Sequence, residues 1–255
     1  MNNLRIVAFL IFIFLGFTSQ AQLVNIEAKR MHTDSTRFVL KSDLLFNYTD
    51  NNGDYVLALN SNISTQFKSK ELNEIYFLVL NYYLVRTNEK DFQNSWFLHA
   101  RYNRKLSRFF RLEAFVQNQN NTQLTIIRRN LVGAGLRVKM IDEKYTQAYL
   151  GNSYMYEIEK QNGIDQRFYN HRNSSYLSLN QSFEKIDLDL VATVYFQPLY
   201  RDIQNHRILS QVKAEIPLTD HISLSALYNY CYTSFSSELQ DDRSSTINVG
   251  ITFSI

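Results

Sequence analysis

From Phe38 onwards the chain is a succession of short segments in which apolar and polar residues alternate with a period of two. Successive side chains of a strand point to opposite faces, so each segment carries one apolar and one polar face. In the first, Phe38, Leu40, Leu44, Phe46 and Tyr48 alternate with Lys41, Asp43 and Asn47, and Asp50 to Asp54 (DNNGD) then turns the chain. Tyr55, Leu57, Leu59, Ile63 and Phe67 form the next apolar face against Asn60, Asn62, Ser64 and Gln66. The rhythm predicts an all-β chain of twelve strands, at 38–49, 55–67, 74–87, 93–103, 109–120, 124–139, 145–158, 171–183, 186–200, 205–216, 222–235 and 244–255. The third and eighth are ambiguous in phase.

The connections alternate as well. Those after the even-numbered strands are short, while several of the others are longer and polar, the largest being 159–170 and 236–243. An even strand count, alternating segments of about ten residues, and short turns opposite longer loops are the pattern of a single antiparallel transmembrane β-barrel of the outer membrane. Both termini and the short turns then face the periplasm. A secreted soluble β protein is the alternative, because a soluble sheet also buries one face. Two features favour the membrane. Tyr48, Tyr55, Tyr83, Tyr200 and Tyr232 fall toward one rim and Phe38, Phe67, Tyr102 and Phe110 toward the other, as interfacial girdles require. The last strand holds Asn248, Gly250, Phe253 and Ile255, resembling the C-terminal signal read by the barrel-assembly machinery, with Ile255 in place of the usual Phe.

The compartment follows from the beginning of the chain. Arg5 precedes an apolar run from Ile6 to Phe17, and Ser19-Gln20-Ala21 supplies small residues where a signal peptidase cuts. About 12 apolar residues make a helix of roughly 18 Å, well short of a hydrocarbon core of about 30 Å. Residues 1–21 are therefore expected to be a cleaved signal peptide, 22–37 a short periplasmic extension, and 38–255 the barrel. A formal net charge of +3 is too small to hold nucleic acid by field alone, and a single cysteine, Cys231, allows neither a disulfide framework nor a thiolate metal site.

Polar chemistry concentrates on the inward faces of the periplasmic half. Lys41, Arg101, Arg111, Arg137, Lys139 and Lys213 are expected to oppose Asp43, Glu74, Glu113, Asp187, Asp189 and Glu215, six against six. Charges in a narrow barrel are costly unless paired or wetted, so the set is either a salt-bridge network filling the lumen or a selective constriction. Gly133 and Gly135 share one face, where a missing side chain lets Phe115 or Arg111 lie across the wall. Catalytic signals are weak. His32, His99, His171, His206 and His221 have no metal-ligand spacing; His171 and His206, with Ser174, Ser175, Asp165 and Asp202 near in sequence, leave only a loop hydrolase to consider. Cys231 lies opposite Tyr230 and Tyr232 and reads as a packing residue.

The run Arg104 to Phe115 (RKLSRFFRLEAF), with Gln117 and Gln119 and then Arg129 to Arg137 (RNLVGAGLR), resembles the salt-induced outer-membrane protein family. That resemblance implies an outer-membrane barrel and no reaction, cofactor or metal. The expected partners are outer-membrane lipid and the assembly machinery, with small solutes if the lumen conducts. A structural or stress-linked envelope role comes first, a narrow solute or ion channel second, and a hydrolase third.

Overall fold

The computed structural model describes residues 36–51, 53–88, 91–122, 126–234 and 242–254. The expected signal peptide, most of the expected N-terminal extension and Ile255 lie outside them. Twelve strands follow in order: β1 (Phe38–Asn51), β2 (Asp54–Lys68), β3 (Glu74–Thr87), β4 (Asp91–Lys105), β5 (Phe110–Asn121), β6 (Ile126–Asp142), β7 (Thr146–Gln161), β8 (Arg167–Phe183), β9 (Leu188–Leu199), β10 (Asp202–Pro217), β11 (Ile222–Thr233) and β12 (Asp242–Ser254). Each pairs antiparallel with its sequence neighbours, and β12 returns to β1 to close the barrel through Lys41↔Ser254 and Ser42↔Phe253. Closure gives every strand a neighbour on both sides, as a spanning sheet requires because hydrocarbon offers no hydrogen bonds, and the β1–β12 seam is the short one, paired at those two positions.

The barrel is inside out relative to a soluble protein. Among the described residues, 28 buried side chains are polar or charged against 16 apolar ones. Meanwhile Phe46, Val116, Leu177, Val249 and Phe253, at 49–68% relative exposure, point outward. A soluble sandwich would bury those groups, so the inversion selects the membrane barrel over it. Alternation works out as expected on most strands: the register Phe38↔Phe67, Tyr76↔Tyr102, Ala114↔Ala134 keeps the apolar faces together on the outside.

Four expectations are corrected. Residues 159–170 are not mainly loop: β7 runs to Gln161 and β8 starts at Arg167, so Glu159 and Asn170 belong to the wall. Asp187 leaves the wall altogether. It follows a single 3-10 turn over Glu184–Ile186 with φ 48° and ψ 50°, a left-handed conformation that ends one strand before β9 starts. Glu74 lies on the outer face, accepting hydrogen bonds from the hydroxyls of Tyr76 (3.2 Å) and Tyr102 (2.8 Å). Tyr83 pairs with Asn60 and shares the inward parity of Val79, rather than joining an outer girdle. The turn at Asp50–Asp54 forms as expected, with Gly53 at φ 93° donating its N–H to Asp50 Oδ1 at 3.1 Å.

Candidate lumen site

Three layers fill the lumen. Nearest the turn end, Lys41 Nζ meets Glu215 Oε1 at 3.1 Å and Lys213 Nζ meets Glu215 Oε2 at 2.5 Å. One step further in, Glu113 lies between Arg101 Nη1 (3.6 Å) and Arg137 Nη1 (3.7 Å) and accepts the Tyr176 hydroxyl at 2.8 Å. The two guanidiniums also lie over rings, Arg137 above Tyr149 at 3.7 Å and Arg101 above Phe115 at 5.3 Å. A guanidinium is weakly hydrated and flat, so ring faces replace part of the water it gives up.

The middle layer is apolar. Phe115, Leu131 and Met155 form one cluster, Tyr176, Tyr195, Leu209 and Cys231 a second, and Phe77, Val79 and Phe97 a third. His99 is buried between the rings of Phe97 (6.0 Å) and Phe115 (5.7 Å), with Nδ1 3.3 Å from Gln117 Oε1. A cavity of about 40 Å³ lies among His99, Met155 and Leu209, room for about one water.

The glycines make this density possible. A Cβ on Gly133 would lie 2.3 Å from Phe115 Cζ, and one on Gly151 would lie 2.0 Å from Tyr176 Cε1. The expected partnership of Gly133 with Phe115 is therefore present. A Cβ on Gly135 would instead meet the backbone oxygen of Asn152 at 2.1 Å.

The loop end holds the densest ion-pair cluster, which sequence reasoning missed. Glu157 is bridged by Arg129, by Arg207 Nη1 at 2.8 Å and by Arg172 Nε at 3.4 Å. Arg207 Nη2 continues to Glu159 Oε2 at 3.0 Å, and Arg129 Nε lies 3.6 Å from the same oxygen. Arg172 donates further to the carbonyls of Gln197 (3.2 Å) and Asn205 (3.3 Å). Three cations thus share two carboxylates, all nearly free of solvent.

The expected six-against-six network is only partly assembled. Lys41, Lys213 and Glu215 form one group and Arg101, Glu113 and Arg137 another. Lys139 pairs with Asp142 at 2.9 Å beside a bulge in β6, and Asp189 accepts the Ser182 hydroxyl at 2.5 Å near the turn end. Asp43 Oδ1 and Arg111 Nη1 are buried with no hydrogen-bond partner in the structure. Among the described residues the buried charged side chains are Lys68, Arg101, Arg129, Arg137, Arg172 and Arg207 with Glu113, Glu157 and Glu159.

The loop histidines do not form a hydrolytic constellation. His171 faces outward and meets the Tyr154 hydroxyl, while Ser174 faces the lumen. His206 lies between Phe196 and Tyr232 with Nδ1 3.2 Å from the Ile203 carbonyl. Among the described residues neither imidazole bonds a serine hydroxyl or a carboxylate. Of the C-terminal signal residues, Phe253 faces outward at 51% exposure, while Asn248 and Gly250 take the inward parity and pair with Leu227 and Ser225 of β11.

A closed twelve-stranded antiparallel wall with an apolar exterior and a charged, packed interior defines a porin-like β-barrel. The chain matches the family described as "Protein of unknown function, DUF481" over residues 18–253, and it belongs to that family. Its fold is similar to that of the NanC porin, at a TM-score of 0.52 and 10% identity, covering 86% of this chain and 99% of that one. The translocator domain of the autotransporter NalP from Neisseria meningitidis also matches, at a TM-score of 0.49 and 13% identity over 89% of this chain and 91% of that one. The KdgM porin matches at 0.44 and 11% over 85% and 98%. No protein of curated function matches the chain.

Proposed function

We propose that this chain is an outer-membrane barrel with a structural, envelope-stabilising role, and that its lumen is stoppered rather than open. The observation that carries this is the layering: an apolar layer containing Met155 and Phe115 lies between two ion-pair layers whose central carboxylates, Glu113 and Glu157, are inaccessible to solvent. An aqueous channel keeps its charges wet, whereas here those around Glu113 and Glu157 are paired, stacked on rings or bonded to backbone. The outward belt and the porin-like fold support placement in the outer membrane, with the short turns in the periplasm. The motif on β4 to β6 supports kinship with the salt-induced outer-membrane proteins. Among the described residues no arrangement of loop residues favours a hydrolase.

The second reading is a narrow anion channel, favoured by the number of buried arginines relative to buried carboxylates among the described residues. Liposome swelling separates the two. Vesicles carrying the purified barrel and placed in isotonic solutions of a monosaccharide or of a small organic anion should swell no faster than protein-free vesicles. Rapid swelling in the organic anion would replace the stopper by the channel.

A further inference from the structure

We propose that the outer wall over β3 to β6 binds one phospholipid with an anionic headgroup, the acyl chains on the wall and the headgroup between two turns. The inference goes beyond the role of the lumen and rests only on membrane placement. On the outward face Ala100, Ala114 and Ala134 are near neighbours, Ala114 pairing with Ala134 and with Tyr102, and Ala100 with Val116. Three methyl side chains among bulky ones leave a depression in the wall. It is an open groove of about 670 Å³ with an almost wholly apolar lining, within the ~300–1,000 Å³ range of small-molecule sites.

Toward the turn end the groove is bounded by a continuous run of rings, Phe67 to Tyr76 at 6.3 Å and Tyr76 to Tyr102 at 5.3 Å. The two tyrosine hydroxyls point to Glu74, so the ring bodies face hydrocarbon and their polar ends face the interface. Directly beyond lies a second cleft of about 640 Å³, between the β2–β3 and β4–β5 turns. Lys70, Arg104, Lys105 and Arg108 line it against only Glu71 and Glu74. Glu74 is engaged by the two tyrosines, and Glu71 accepts from Asn73 at 3.4 Å. Arg104 follows Tyr102 by two residues on the same face of β4, which joins the cleft to the groove. Leu106 and Phe109, 56% and 53% exposed, set this turn at the membrane surface.

An apolar groove alone accepts any hydrocarbon. A groove ending in four cations against two carboxylates keeps a net positive charge and selects an amphiphile that is negative at one end, and guanidinium groups suit a phosphate by geometry as well as charge. A second copy of the chain fits poorly, since a two-fold contact about the membrane normal would set the two basic clefts against one another.

Native mass spectrometry of the full barrel, released from detergent with added phosphatidylglycerol or phosphatidylethanolamine, tests this. One phosphatidylglycerol should be retained per barrel in preference to phosphatidylethanolamine. Arg104→Gln with Arg108→Gln should cut its retention by roughly twentyfold, at about 1 kcal/mol or fivefold per cation near the surface. Ala114→Leu should displace the lipid while the barrel stays heat-modifiable. Equal retention of both lipids, retention unaltered in both variants, or a dimer dissociated by Ala114→Leu would overturn the proposal. A barrel that conducts ions would leave it standing.

Discussion

Glu157→Gln removes one negative charge from a cluster that is already short of them. Glu157 has no exposed side-chain surface and is held by Arg129, Arg172 and Arg207, with Asn170 Nδ2 donating at 3.2 Å. After the substitution three guanidiniums share Glu159 alone, and the new amide nitrogen faces donors. Stripping one partner from a buried ion pair costs about 3–5 kcal/mol. With a urea slope of about 2–3 kcal/mol per M, the unfolding midpoint in lipid vesicles should fall by roughly 1–2 M. Arg172→Gln makes the contrast, because it leaves two cations on two carboxylates and gives up mainly the bonds to Gln197 and Asn205. Its midpoint should fall by less than half as much. Tryptophan fluorescence and heat-modified gel mobility, followed across a urea series, read both variants. A Glu157→Gln midpoint within about 0.3 M of wild type, less than a third of the expected shift, would refute the cluster's role; so would an Arg172→Gln variant that suffers equally.

Other expectations follow from the glycines, the belt and the topology. Gly151→Ala should push the Tyr176 ring off its site and detach its hydroxyl from Glu113, at about 1–3 kcal/mol for overpacking; adding Tyr176→Leu should recover part of that loss, and an unaltered midpoint for Gly151→Ala alone would contradict the close approach. Phe253→Asp places a charge on the lipid face near the C-terminal strand end, and membrane fractions should contain much less heat-modifiable barrel; normal levels would show that Phe253 does not face lipid. Protease added to intact cells should cut near residues 160–167 and 236–243 and spare Lys68 to Lys70, whereas cutting confined to Lys68 to Lys70 would invert the topology.

Alternation reports face but not height or partner, and this divides what was legible in the sequence from what was not. β3 runs over Glu74–Thr87 as expected, and the outward faces at Trp96 to Tyr102 and Ile247 to Phe253 follow directly from the period of two. The loop-end cluster was hidden for a physical reason. Around it both faces are polar, with His171, Asn173 and Ser175 outside and Asn170, Arg172 and Ser174 inside, so the end of β7 and the start of β8 resemble loop. Its pairings also cross the barrel: Glu157 on β7 meets Arg207 on β10, 50 residues away, and no local pattern foretells it. The face of Glu74 is not legible in the sequence because β3 is apolar on both faces, Phe77 and Val79 inward and Tyr76 and Leu78 outward. Asp187 escapes the period of two because its own left-handed conformation breaks the parity before β9 starts.

Single-channel recording in a planar bilayer tests the stopper most directly. Inserted wild-type barrels, verified by heat-modifiable mobility, should give no sustained current steps. The double variant Phe115→Ala with Met155→Ala, which opens a gap in the middle layer while keeping every charged residue of the two ion-pair layers, should open a current that favours anions, as expected from the guanidiniums of Arg101, Arg129 and Arg137 that border the gap. Steady conductance from the wild type, with the double variant merely enlarging it, would show that the lumen is a working channel and that its central layer is no stopper.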